Sequence, residues 1–93
     1  MQHVLIIHEV ADYKAWKKVF DGAAGMRREA GERSYQVLCY EGDPKRIVHF
    51  SRWTSIAAAK AFFESPPLVK IRQEAGVKVP DFIYLEELES GTL

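Results

Sequence analysis

Residues 46–66 read RIVHFSRWTSIAAAKAFFESP, a strand, a short turn and a helix stopped by prolines. Within the strand Ile47, His49, Ser51 and Trp53 share one parity, while Val48, Phe50 and Arg52 share the other. Side chains alternate across a strand, so both of its faces carry large apolar groups and both need covering. Helices of the same small domain can cover one face. The second face predicts a partner, most simply another copy of the chain.

The remaining apolar positions place the other elements. Residues 3–10 contain the continuous run VLII, which suits a central strand. Asp12 is positioned to cap a helix that begins at Tyr13. Apolar residues then recur at Trp16, Val19, Phe20, Ala23, Ala24 and Ala30, a 3.6-residue stripe. The stripe predicts one helix as far as Gly31, locally weakened by Gly22 and Gly25. Arg27 and Arg28, followed at once by Glu29, read as its solvated face. Residues 34–41 form a second strand, and residues 42–45 (GDPK) a turn that returns residues 46–53 as an antiparallel hairpin. Thr54 or Ser55 caps a helix running through Phe62 and Phe63. Pro66 and Pro67 end it, and a short helix over 68–75 stops at Gly76. In a last strand, 82–88, Phe82, Tyr84 and Glu86 alternate with Ile83 and Leu85. Residues 89–93 read as a loose tail. The order β-α-β-β-α-β predicts an α+β, ferredoxin-like fold with its helices on one face of an antiparallel sheet.

Composition narrows the function classes. Ninety-three residues predict one domain, 1–93, and a chain this short gains from association because it buries only about 60–65% of its unfolded surface. Thirteen basic residues balance thirteen acidic ones without a basic stripe, so no nucleic-acid partner is expected. The longest apolar run, residues 4–7, is too short for a bilayer, and no membrane association is expected. No basic segment leading into an apolar run marks a secretory signal, which points to a cytoplasmic protein. Cys39 is the lone cysteine, so neither an intramolecular disulfide nor a cysteine metal cluster is expected.

Candidate chemistry centres on the strand histidines. His8 shares a face with Val4 and Ile6, and His49 shares one with Ile47 and Trp53. The first and third strands are antiparallel neighbours in this topology, which lets the two imidazoles approach. Histidine titrates near neutral pH and serves as acid, base or ligand, or sits hydrogen-bonded at a cavity edge. Two histidines fall short of a stable metal site, so no metal is expected. Trp53 either stacks on a flat ligand or plugs the strand–helix corner. Arg52 can bind a carboxylate or pair with a surface acid. Tyr35, Tyr40 and Tyr84 offer hydroxyls to a pocket, although strands favour tyrosine in any case.

Three motifs carry a family resemblance across most of the chain. They are Asp12-Tyr13 with Trp16 and Phe20-Asp21, Trp53 before an alanine-rich helix, and Ser65-Pro66 with Leu68, Ala75-Gly76-Val77 and Pro80. Together with the order of elements, they resemble the dimeric α+β barrel superfamily, in particular its antibiotic-biosynthesis-monooxygenase-like group. The resemblance implies a homodimer whose sheets close face to face, with a pocket between sheet and helices for a small apolar or aromatic ligand. It implies a cofactor-independent monooxygenase or isomerase, with His8 and His49 as catalytic candidates. Trp53, Tyr35, Tyr40, Arg52 and Phe62 are the ligand-binding candidates. Phe62 stands where many members carry a helix histidine, and Ser51 where many carry a glutamate. The histidine and asparagine of the haem degraders have no counterparts, so no haem cofactor is expected. The alternative is a ligand-binding or stress-response protein of the same fold that performs no chemistry.

Overall fold

The computed structural model describes residues 2–93, apart from the side chains of residues 78 and 79. The elements are β1 (Gln2–Val10), α1 (Tyr13–Gly22), α2 (Ala24–Ala30), β2 (Glu32–Tyr40), β3 (Asp43–Trp53), α3 (Ile56–Phe63), α4 (Pro66–Glu74) and β4 (Val77–Glu86). All strand pairs are antiparallel, in the sheet order β2-β3-β1-β4. This is the expected α+β, ferredoxin-like arrangement. No helix among the described residues is long and apolar enough to cross a membrane.

The first expected helix is two. It breaks at Ala23, whose backbone (φ −94°, ψ 4°) leaves the helical region. The Ala23 N–H is shared between the carbonyls of Val19 and Phe20 at 3.1 and 3.2 Å. The Phe20 carbonyl also accepts from the Arg27 guanidinium. Arg27 is consequently buried, at 4% exposure, and the expectation of a solvated Arg27-Arg28 face holds only for Arg28. The position of Arg27 is in step with Trp16, Phe20 and Ala23, and an acid partner described below makes its burial tolerable.

The hairpin differs for a related local reason. The turn is only Glu41-Gly42, with Gly42 at φ +79°, and Asp43 already pairs with Tyr40. Residues 44–46 fall where the register slips between Tyr40↔Asp43 and Cys39↔Ile47, so Pro44 occupies a bulge. Similarly, β4 starts at Val77 rather than at 82. Pro80 is tolerated because β4 is an edge strand, and its register with β1 slips between Ile7↔Asp81 and Glu9↔Lys78.

Capping follows the sequence. Asp12 accepts from the Ala15 N–H at 3.2 Å, and Ser55 accepts from Ala58 at 3.0 Å. Gly31 (φ +132°) ends α2 and delivers the chain to Glu32; a Cβ there would stand 2.7 Å from Thr54 Oγ1. Side chains of one sheet parity (Val4, Ile6, His8, Val10, Ile47, His49, Ser51 and Trp53) are buried. They join two apolar clusters, one around Trp53, Ala59 and Phe63 and the other around Trp16, Phe20 and Ala75. The opposite parity is left half-buried or exposed.

Candidate functional site

A partly open pocket lies between the two apolar clusters, with a cavity volume of about 70 Å³. β1 contributes Ile6 and His8 to its wall, β3 contributes His49, and β4 contributes Val77 and Phe82. The helices close it with residues that include Trp16, Phe20, Arg27, Phe62, Leu68 and Arg72. His8 pairs across the sheet with Ile47, and His49 with Ile6, so the imidazoles are diagonal neighbours on one face. The wall is otherwise almost wholly apolar.

His49 is held by an acid. Its Nε2 lies 3.0 Å from Glu32 Oε2, and Arg27 Nε donates to Glu32 Oε1 at 2.8 Å. All three residues are buried. The Arg27 guanidinium also lies 3.7 Å from the centre of the Phe20 ring. Burial works to raise the Glu32 carboxyl, but the hydrogen bond and charge of His49, then those of Arg27, outweigh it and hold the group below its ordinary value. Glu32 is therefore a carboxylate, which only accepts, so His49 must donate through Nε2. In the neutral ring this leaves Nδ1 with the basic lone pair. A base oriented by a hydrogen-bonded acid is the general arrangement of activated histidines.

His8 differs. It is 6% exposed, and neither ring nitrogen has a hydrogen-bond partner among the described residues. Its ring sits 5.2 Å from that of Trp16. Burial, then the charges of His49 and Arg72, push its pKa down to about 4, so it is neutral at neutral pH. Arg72 is half-buried and donates to the Phe63 carbonyl at 2.8 Å, and desolvation lowers its own pKa. Among the described residues no acid lies within ion-pair distance of it.

The remaining candidates divide by position. Phe62 lines the cavity. Trp53 is fully buried behind it, donates Nε1–H to Ser51 Oγ at 2.8 Å and packs on Phe62 and Phe63. It plugs the strand–helix corner. Tyr35 is half exposed, with its ring 5.2 Å from Phe20 and 6.2 Å from His49, beside the pocket rather than on its wall. Tyr40 is exposed under Arg46, and exposed Arg52 has the sheet parity opposite to the cavity. The fold thus gathers His8, His49 and Phe62, and leaves Tyr40 and Arg52 apart.

The sequence pattern does not single out Glu32, Arg27 or Arg72 as site residues, yet two of them carry a trace. Arg27 continues the Trp16–Phe20–Ala23 stripe, and Arg72 falls in step with Leu68, Ile71 and Ala75. Glu32 had no periodic signal, because it lies just before a register slip between Glu32↔Trp53 and Ser34↔Arg52.

Comparison with known proteins agrees with the fold. The profile of the family described as antibiotic biosynthesis monooxygenase matches residues 11–74. Among solved structures, the chain is similar to SnoaB, a cofactor-independent oxygenase from Streptomyces nogalater, at 12% identity and a TM-score of 0.77. That match covers 96% of this chain and 94% of SnoaB. It is also similar to Rv0793 from Mycobacterium tuberculosis, at 19% identity and a TM-score of 0.67, covering 99% of this chain and 100% of the other. No curated protein matches. At these identities the structural likenesses speak to fold alone, whereas the profile spans well over half the chain: it belongs to the antibiotic biosynthesis monooxygenase family.

Proposed function

We propose that the protein is a cofactor-independent monooxygenase acting on a small aromatic or otherwise apolar substrate in the pocket between sheet and helices, with His49 as base. The observation that supports this most is an imidazole anchored by a buried carboxylate on the wall of an apolar cavity. In this reading His49 Nδ1 takes a proton from a CH₂ whose carbanion is conjugated with a carbonyl, directly or through an aromatic ring. The electron pair left behind is delocalised as an enolate and reduces dioxygen, forming a hydroperoxide at that carbon. Loss of water converts the original CH₂ to a carbonyl: one dioxygen is consumed and one water released. An isomerase would instead return the proton at a second carbon. The apolar wall keeps water from the enolate. The family membership and the oxygenase activity in SnoaB's description favour the oxidative branch.

Homodimerisation belongs to the same proposal. It is supported by the half-exposed apolar sheet face, where Leu38, Ile83 and Leu85 are 49%, 39% and 37% exposed.

Oxygen uptake with an anthrone, a tricyclic ketone bearing an acidic CH₂, tests the reading. The expected outcome is uptake matched by quinone formation, falling about 10²–10⁴-fold in His49→Ala, the usual contribution of a general base. Full turnover in that variant contradicts His49 as base. Binding of the anthrone with its recovery unchanged favours the non-catalytic alternative.

A further inference from the structure

His8 has no assigned task in that mechanism, and its surroundings are unusual. A buried polar group without a hydrogen bond costs about 1–3 kcal/mol, so folds rarely retain one without a use. Among the described residues neither ring nitrogen of His8 has a partner, on a side chain 6% exposed that lines the cavity. From the helix side of the same cavity, α4 contributes Arg72, held through Nη1 by the Phe63 carbonyl. A guanidinium has five N–H donors, and among the described residues no carboxylate is near enough to neutralise this one. The cavity's other charged neighbour, Arg27, is already paired with Glu32. One apolar cavity is therefore lined by both a partly desolvated cation without a carboxylate partner among the described residues and a neutral imidazole with a free N–H. Such a pair is complementary to an anionic oxygen group, above all to a carboxylate, whose two oxygens match the guanidinium fork.

We infer that His8 and Arg72 form a subsite for the carboxylate of a small monocarboxylic ligand whose remaining body is apolar. The inference rests on the reading of this pocket as the ligand site and specifies which end of the ligand is charged. In the bound state the carboxylate accepts from Arg72 and from one ring N–H of His8. Ile6, Phe62 and Phe82 take the apolar body. The cavity of about 70 Å³ limits the enclosed part to a few heavy atoms, with any larger body extending through the open side.

The test uses butyrate and its neutral counterpart, 1-butanol, titrated into the whole protein at neutral pH. The indole of Trp16, on the cavity wall and 5.2 Å from His8, supplies the fluorescence signal. Butyrate is expected to bind about tenfold or more tightly than butanol, the scale of one charge-assisted hydrogen bond. Arg72→Met, which keeps an apolar stem, should bring the two affinities within about twofold, while Arg72→Lys should restore part of the preference. His8→Phe should weaken butyrate alone. Circular dichroism confirms that each variant is folded, and the lysine variant reads the charge dependence if the methionine variant is not. Equal affinity for both compounds, or a butyrate preference that survives Arg72→Met, overturns the subsite while leaving the pocket reading intact. Binding of neither compound overturns both.

Discussion

β3 turns Ile47, His49, Ser51 and Trp53 toward the helices and Val48, Phe50 and Arg52 toward the other side, and the two sets meet different surroundings. On the helix side each of the four is buried, and the polar ones are satisfied: His49 by Glu32, and Ser51 by the Trp53 N–H. On the other side Val48 and Phe50 are only half-buried, His3 stacks on Phe50 at 5.1 Å, and Leu38, Ile83 and Leu85 remain exposed. The contrast separates two jobs of one sheet. The helix side is completed by the chain itself, and its polar groups were arranged around a cavity. The open side keeps apolar area whose burial, worth about 25 cal/mol per Å², the proposed homodimer would supply.

Substitutions at equivalent depths should sharpen this contrast. The largest effect is expected from Glu32→Ala, which leaves Arg27 buried without its acid and His49 without its anchor. Denaturant unfolding should show a loss of about 3–5 kcal/mol. A loss under about 1 kcal/mol would mean that the pair opens to solvent.

Acid should act through the same face. The His8 pKa is about 4 in the fold against 6.5 for the free side chain, so the unfolded chain takes up its proton first. The contribution of His8 to stability is complete above pH 6.5 and is lost as the pH falls toward 4, amounting to about 3 kcal/mol at 1.36 kcal/mol per unit. Glu32, whose pKa is also lowered, loses stability in the same direction. His8→Phe should remove the His8 part of this slope when urea midpoints are compared across pH. An unchanged slope would place the proton uptake elsewhere.

Ser51→Ala strips the Trp53 indole N–H of its acceptor and should cost about 1–3 kcal/mol. Arg52→Ala, one residue along the same strand but facing out, should change stability by no more than about 0.5 kcal/mol. Similar losses at the two positions would erase the distinction between the faces.

The fold was legible because its signals are periodic. The alternation in β3 separated the two faces, the helix stripe placed Trp16 and Phe20, and Asp12 and Ser55 marked true caps. What stayed hidden depended on local departures from regularity. The break at Ala23 leaves the Phe20 carbonyl open to Arg27 as a second donor, and the slip after Glu32 turns that carboxylate inward beside His49. Charged residues in a balanced sequence read as solvated, and only the three-dimensional pairing shows which of them are buried. His8 and His49 were recognisable as candidates from their parity. That one is anchored and the other unpartnered is a matter of geometry.

The most direct test of this division is the solution mass by light scattering at micromolar concentration, for the wild type and Phe50→Glu. A completed helix side and an open side awaiting a second copy predict twice the 10.6 kDa of one chain for the wild type, and a single-chain mass for a folded Phe50→Glu. A wild type that remains at 10.6 kDa would contradict the account.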